Sequence, residues 1–186
     1  MAMDFLKDVT KDLEKSGIHV GASEPPRYWT STGNYVVNKI ISGSFHRGIP
    51  QGRITSFTGP SGAGKSFLVA NSVREAQKDG AHIVILDSEN ALDDEFMSAI
   101  GVDTNPTDTT YTYIDVDTIS QCKQVASSVI KGYKKEYGDE PDAPKLMIVI
   151  DSLDMLMTAT EQEHFDKGVT KGDQGQRNKQ LKAMLR

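Results

Sequence analysis

Residues 53–66 give the clearest indication of the fold, and 59–66 read Gly59-Pro60-Ser61-Gly62-Ala63-Gly64-Lys65-Ser66. These eight residues fit the pattern G-x-x-x-x-G-K-[ST] at every fixed position. The residues before them, 53–58, predict a short strand. Those that begin with Lys65 predict a helix over 65–78, with apolar residues on one side. A glycine-rich loop between a strand and a helix is the context that this motif requires, so the stretch predicts a phosphate-binding loop in an α/β fold.

The chemistry of this loop indicates a nucleotide with a divalent metal ion. Glycines let the backbone curl until successive N–H groups point at phosphate oxygens, and the helix amino terminus adds partial positive charge. Lys65 is placed to reach the β- and γ-phosphates, while the Ser66 hydroxyl is a ligand type suited to Mg²⁺. We therefore expect residues 59–66 to bind ATP and Mg²⁺.

Strands and helices continue to alternate after the loop. Further strands are predicted over 81–86, 111–115 and 146–150, and further helices over 91–100 and 119–133. Alternation at this spacing predicts right-handed crossovers, and hence a mostly parallel sheet flanked by helices. Cys122 falls on the apolar face of the last helix, where we expect a core residue and not a reactive thiol.

Two acidic residues follow predicted strands at the edge where α/β sheets bind ligands. Asp151 ends the apolar run 146–150 and would hold the Mg²⁺ ion with Ser66. Glu89 follows the strand 81–86 and would orient the attacking water. The alternative for Glu89 is a surface carboxylate before a helix, where Asp93, Asp94 and Glu95 complement the helix dipole.

Composition excludes several classes of protein. The chain has 186 residues, 37 % hydrophobic and 25 % charged, so a packed core is expected and neither whole-chain disorder nor a collagen-like fibre fits. One cysteine excludes an internal disulfide framework and a cysteine-rich zinc site. We find neither a signal peptide nor an apolar run long enough for a membrane span, and we expect a cytoplasmic protein with no membrane partner.

Positive charge is concentrated near the carboxyl end, although the net charge is −5. Residues 167–186 contain six basic residues and one acidic residue, which suggests an anionic partner. Glycines predict a mobile loop over 165–176, followed by a helix over 176–186. On that helix Lys179, Lys182 and Arg186 fall within an arc of about 60°, opposite Leu181, Met184 and Leu185. The alternative is a solvated terminus.

The amino-terminal residues, 1–34, are interpreted as a helix and a linker, and residues 35–186 as the main domain. The helix, predicted over 4–15, carries an apolar stripe formed by Phe5, Leu6, Val9 and Leu13. Glycines and prolines over 17–34 indicate a linker. The stripe is expected to dock either on a neighbouring subunit or on its own domain.

Several further stretches together resemble the RecA family of DNA recombinases. They are the sequence ILDSENALD at 85–93, IGVD at 100–103, IDSL at 150–153, Thr32-Gly33, and RGIPQGRI at 47–54. The resemblance spans roughly 32–186 and is greatest to the UvsX-like recombination proteins of bacteriophages. It implies a RecA-type P-loop NTPase core and a DNA-dependent ATPase for homologous recombination and DNA repair. Such proteins bind single-stranded and double-stranded DNA, assemble into helical filaments, promote strand exchange and cooperate with single-strand-binding and mediator proteins.

The resemblance also assigns residues. Glu89, with Lys65, matches the catalytic positions, and Asp93 and Phe96 match positions that meet the adenine, although the family usually has tyrosine at the latter. Phe96 as an ordinary core residue is the alternative. The loop over 165–176 matches in place the first DNA-binding loop of the family, and Lys179 and Arg186 match basic positions. Together with the positive charge near the carboxyl end, this gives the DNA-binding candidates Lys171, Arg177, Lys179, Lys182 and Arg186.

The sequence ends at Arg186, inside a predicted helix, whereas family members continue with another core strand and a second DNA-binding loop. We therefore expect the carboxyl-terminal part of the core to be missing and the sheet to keep about four to five strands. Two other functions stay open: a RecA-type hexameric DNA helicase, and a fragment that binds nucleotide but is catalytically inactive. If the protein is encoded by a phage, it would act in the cytoplasm of the bacterial host.

Overall fold

Helices and short strands alternate along the chain in the computed structural model, which describes residues 2–18, 25–105, 107, 110–138, 140–168 and 175–185. In chain order the elements are α1 (Ala2–Lys15), β1 (Trp29–Thr30), α2 (Tyr35–Ser42), β2 (Ile49–Pro50), α3 (Lys65–Lys78), β3 (His82–Asp87), α4 (Asp94–Ile100), β4 (Tyr111–Asp115), α5 (Ile119–Tyr137), β5 (Leu146–Asp151), α6 (Ala159–Asp166) and α7 (Gln176–Met184).

A three-stranded parallel sheet with the order β4-β3-β5 forms the centre of the fold. The carboxyl ends of the strands are in register, since Asp87 of β3 pairs with Asp115 of β4 and with Asp151 of β5. The central strand β3 is buried on both faces, as expected for a parallel strand between helices, whereas β4 and β5 are only partly buried. Side chains of β3 alternate between one core shared with α3 and α4 and a second core shared with α5. The predicted α/β class with flanking helices is confirmed.

The predicted strand over residues 53–58 is wrong. These residues belong to no strand in the described part of the chain, and the parallel sheet has three strands there, not four or five. A strand forms only where a neighbouring strand satisfies its backbone N–H and C=O groups. Among the described residues β5 is an edge strand of the sheet, and residues 53–58 do not pair with its free edge.

The other predicted elements agree with the structure to within a few residues. α3 and β4 have the predicted bounds, while α5 extends four residues further, to Tyr137. α4 begins at Asp94 instead of residue 91, because the Asp93 side chain accepts from the Phe96 N–H and caps the helix there. Cys122 is fully buried, and burial raises the pKa of its thiol to about 11, in agreement with a core role.

The amino-terminal segment differs in part from the prediction. α1 is present, and Phe5, Leu6 and Val9 of its apolar stripe are exposed, with Phe5 68 % and Leu6 64 % accessible, whereas Leu13 is partly buried. The stretch interpreted as a linker, 17–34, contains β1, which pairs antiparallel with β2. Part of that stretch is therefore tied to the main domain. Residues 19–24 lie outside the described residues.

α7 packs on the sheet layer through α5. Leu181 and Met184 contact the core that contains Cys122, as their spacing predicted, whereas Leu185 is 41 % exposed. Among the described helices, none combines the length and the hydropathy that crossing a bilayer requires.

Candidate functional site

The loop at residues 59–66 leads directly into α3. Gly62 and Gly64 have φ angles of +75° and +84°, in the left-handed region that glycine tolerates best. No atom lies within 4 Å of the position that a Cβ would take at either glycine, so the backbone angle and not crowding requires them. Gly64 is the amino cap of α3, and the first N–H groups of a helix have no intrahelical partner. The curled backbone thus presents donors suited to an anion.

Lys65 places its ammonium group at this loop. Its Nζ donates hydrogen bonds of 3.1 Å to the carbonyl oxygens of Gly59 and Pro60. The lysine therefore folds back over the loop that its own helix follows. Its positive charge therefore lies at the loop, as the phosphate-binding motif requires.

Ser66 and Asp151 meet at the end of the central sheet. The Ser66 hydroxyl donates a 2.8 Å hydrogen bond to Oδ2 of Asp151, which is 7 % exposed. Burial raises the pKa of Asp151; the hydrogen bond from Ser66 opposes the shift, while the nearby carboxylates of Asp87 and Glu89 add to it. A carboxylate held this way gains from a bound cation, because the cation offsets the cost of its buried charge.

These two oxygen groups fit the magnesium ion that the sequence predicts. Mg²⁺ is typically bound by one or two protein oxygens together with phosphate oxygens and water. The described residues contain no group of three or more His, Cys, Asp or Glu side chains that would form a complete protein-made metal site. Ser66 and Asp151 are therefore the residues that would hold the ion, shared with the phosphates.

Glu89 lies beside this pair, at the end of the neighbouring strand. Its Oε1 accepts a hydrogen bond from the hydroxyl of Ser152, the residue that follows Asp151. Ser88 holds the main chain of Ser152. The Ser88 hydroxyl donates to the Ser152 carbonyl at 2.8 Å and accepts from the Ser152 N–H at 3.0 Å. Glu89 is exposed, so solvent water reaches its carboxylate.

Asp87 organises the loop that carries Glu89, a role that the sequence reasoning missed. Its buried carboxylate accepts from the N–H of Glu89 at 2.8 Å, from the N–H of Leu92 at 2.9 Å and from the hydroxyl of Tyr113 at 3.1 Å. Burial and the contact with Asp87 raise the pKa of Tyr113, so it remains a donor. An aspartate at the end of a strand often accepts a hydrogen bond from the backbone N–H two residues later, and this pattern would have indicated the role of Asp87.

The two candidate adenine contacts have structural roles. The Asp93 carboxylate caps α4 with a 2.8 Å hydrogen bond from the N–H of Phe96. Phe96 is half-buried and packs against the core formed by α3 and β3. This packing favours the core alternative for Phe96.

The DNA-binding candidates are only partly described. Lys179 and Lys182 are exposed on α7, on the side away from Leu181 and Met184. Arg177 donates to the backbone carbonyls of Leu153 and Asp154 and so joins α7 to the segment after β5. Lys171 and Arg186, and the central residues of the predicted loop, 169–174, lie outside the described residues.

A family model connects this site to known proteins. The model for the RecA N-terminal domain matches residues 4–180. Among curated proteins, Protein RecA of Corynebacterium urealyticum is 29 % identical over 163 residues, covering 86 % of this chain and 39 % of that protein. The DNA repair protein recA homolog 3, mitochondrial, of Arabidopsis thaliana is 34 % identical over 102 residues, covering 53 % of this chain and 23 % of that protein.

A third relative matches a shorter stretch at higher identity. Protein RecA of Streptomyces rimosus is 43 % identical over 58 residues, covering 31 % of this chain and 15 % of that protein. The chain thus spans less than half the length of the curated relatives that it matches. The predicted resemblance to RecA is confirmed, and the greater likeness to phage proteins stays a prediction.

Proposed function

The chain belongs to the RecA family, and on that premise we propose that it forms the ATP-binding part of an ATP-dependent DNA recombinase. Relatives that bear the names RecA and DNA repair protein support a role in recombination or repair. The observation that carries the proposal is the contact between Ser66 and Asp151, beside a glycine-rich loop capped by Lys65. A phosphate-binding loop and a metal-binding carboxylate in one site are what ATP hydrolysis requires.

Each residue of the site has a distinct task in this proposal. The loop N–H groups and Lys65 hold the phosphates, and Ser66 with Asp151 holds Mg²⁺, which when bound offsets the negative charge that develops on the phosphates. Glu89 accepts the proton of the attacking water while the bond between the γ-phosphorus and the bridging oxygen breaks. Glu89 is suited to this because it is exposed to water and accepts a hydrogen bond from Ser152, the residue that follows the proposed metal ligand Asp151.

DNA binding and filament formation are proposed from two exposed surfaces. Lys179 and Lys182 form a basic face on α7 and would contact the phosphates of single-stranded or double-stranded DNA. The apolar stripe of α1, with Phe5 and Leu6 exposed, would dock on a neighbouring copy. A contact of that kind between two different surfaces continues into an open helical filament when it does not close on itself. The filament would carry DNA-stimulated ATPase activity and promote strand exchange.

Steady-state ATPase assays with and without single-stranded DNA test the proposal. We expect hydrolysis that depends on Mg²⁺ and is stimulated by DNA. Lys65→Ala should remove nucleotide binding, whereas Glu89→Gln should keep nucleotide binding and lower kcat by about 10²–10⁴-fold. Normal hydrolysis by Glu89→Gln would show that the assignment of the base is wrong.

The two alternative functions predict different results. A hexameric helicase would form closed rings with ATP and single-stranded DNA in electron micrographs, whereas the proposed recombinase forms open filaments. A catalytically inactive fragment would bind ATP and release no phosphate in a single-turnover assay. The relatives named above favour the recombinase over the ring helicase.

A further inference from the structure

Glu89 is the one carboxylate of the proposed site that sits on a loop and not on a regular element. The residues between β3 and α4 are held in an irregular conformation, and Asn90 has a φ of +53°. A side chain on such a loop needs support if it is to act on water from one fixed position. The residues that contact this loop and the Glu89 side chain provide the support.

The backbone of this loop is fixed by Asp87. Two N–H groups of the loop, from Glu89 and Leu92, donate to its buried carboxylate. This arrangement fixes where the Glu89 main chain lies. These hydrogen bonds do not involve the Glu89 side chain, so another group must orient it.

Ser152 is the group in contact with the Glu89 carboxylate. Its hydroxyl donates to Oε1 of Glu89 across a sequence separation of 63 residues. The main chain of Ser152 is itself held by Ser88, which bonds to both its N–H and its C=O. A further bond of 2.8 Å joins the Ser88 N–H to the carbonyl of Asp151. The ends of β3 and β5 are therefore joined at the point where the Glu89 side chain is oriented.

We propose that Ser152 is a positioning residue that orients the Glu89 carboxylate for the attack of water, with Ser88 holding Ser152 in place. The inference rests on the proposed function, because it assumes that Glu89 accepts the proton. Ser152 touches neither the nucleotide nor the water in this role and acts through Glu89 alone. Its hydroxyl selects one orientation of a carboxylate that is otherwise free to rotate in solvent.

A set of serine variants tests the proposal in kinetic assays. Ser152→Ala removes the hydroxyl and keeps the backbone bonds to Ser88, so we expect kcat to fall by about 10-fold or more with the affinity for Mg-ATP within about twofold. Ser152→Thr keeps a hydroxyl and should restore most of the rate. Ser128→Ala removes an exposed hydroxyl on α5 and serves as the matched control. A loss of nucleotide affinity equal to the loss of kcat would overturn the positioning role.

The Glu89→Gln background separates positioning from general structural support. With no base to orient, Ser152→Ala should change the residual kcat by less than about twofold. An equal loss of kcat in both backgrounds would overturn the proposal, since it would show that Ser152 acts independently of Glu89.

A spectroscopic readout tests the contact without hydrolysis. The ¹³Cδ resonance of Glu89 in the nucleotide-free protein should shift in Ser152→Ala and return toward its position in Ser152→Thr, and an unmoved resonance would overturn the contact. If the wild-type protein hydrolyses ATP and Ser152→Ala does so equally well, only the positioning role fails. If the wild-type protein does not hydrolyse ATP, the proposed function fails and this inference fails with it.

Discussion

The hydroxyl of Ser66 and the carboxylate of Asp151 are joined by a 2.8 Å hydrogen bond across 85 positions of sequence. Ser66 lies in the first turn of α3, and Asp151 ends β5. The bond thus connects the phosphate-binding loop to the carboxyl edge of the sheet. Ser66 and Asp151 are the residues that would hold a Mg²⁺ ion at this edge.

The raised pKa of Asp151 predicts that nucleotide binding depends on pH. Since burial favours the protonated acid, Asp151 takes up its proton at a higher pH than an ordinary aspartate does. A protonated Asp151 no longer attracts a cation, so the contribution of Mg²⁺ to ATP affinity should decline as the pH is lowered toward that pKa. Titrations of ATP with and without Mg²⁺ from about pH 8 to pH 4.5 measure the effect.

The raised pKa of Asp151 also makes the stability of the folded protein depend on pH. A raised pKa means that the folded state favours the protonated form, so without the metal the contribution of Asp151 to stability is present at low pH and is lost as the pH rises through its pKa. Asp151→Asn removes this pH dependence and should also lose the Mg²⁺ contribution at every pH. A magnesium contribution that persists in Asp151→Asn would contradict the assignment of the ligand.

A close approach of backbone at Gly48 predicts a stability effect away from the site. A Cβ at Gly48 would lie 2.5 Å from Oδ1 of Asn38 and 2.6 Å from the carbonyl oxygen of Thr30. Neither atom belongs to the flexible end of a long side chain, so Gly48→Ala should lower the free energy of unfolding by about 1–3 kcal/mol. Urea denaturation followed by circular dichroism measures the change.

Gly132 provides the matched control for that substitution. It lies inside α5, and a Cβ there would meet no atom within 4 Å. Gly132→Ala should raise the free energy of unfolding by about 0.5–1 kcal/mol, because alanine loses less conformational entropy in a helix than glycine. Equal effects of the two substitutions would show that crowding around Gly48 is not the cause.

The burial of Cys122 predicts a thiol that reacts only when the protein opens. Burial raises its pKa to about 11, so near pH 8 it is neutral as well as inaccessible. A thiol reagent such as iodoacetamide should label the native protein at a rate far below that of a free cysteine, and urea should restore rapid labelling. Fast labelling without denaturant would mean that the face of α5 that carries Cys122 does not stay packed on the sheet in solution.

The basic face of α7 predicts a contribution to DNA affinity that depends on salt. Replacing both Lys179 and Lys182 by glutamine should weaken binding to single-stranded DNA at low salt. The same change should reduce the slope of log affinity against log salt by about 1–2. Lys134→Gln with Lys135→Gln, two exposed lysines in the last turn of α5, is the matched control and should have the smaller effect. Equal losses from both pairs would indicate that general charge, and not this face, attracts DNA.

The sequence predicted best those elements whose signals are local. α3 begins at Lys65 because a glycine with positive φ precedes it, and its apolar spacing continues to Lys78. α6 was not predicted, although the pattern from Thr158 to Glu161 forms a capping box that indicates a helix start. This local pattern is enough to predict the start of α6.

The features that the sequence did not predict depend on distant partners. Residues 53–58 have the composition of a strand but no adjacent strand to pair with in the described part of the chain. The bond from the Glu89 N–H to Asp87 has a local signal, but the contact of Asp87 with Tyr113 and that of Ser152 with Glu89 are created by the parallel sheet. Such contacts follow from topology, so residue type and spacing alone do not specify them.

Isothermal titration calorimetry of the purified protein with ATP, in the presence and absence of Mg²⁺, measures whether this site binds nucleotide. We predict saturable binding of adenine nucleotide that Mg²⁺ strengthens and that Lys65→Ala removes while the circular dichroism spectrum stays unchanged. Heats that show no magnesium-dependent binding, or binding that Lys65→Ala leaves intact, would contradict the claim that residues 59–66 and Asp151 form a nucleotide site.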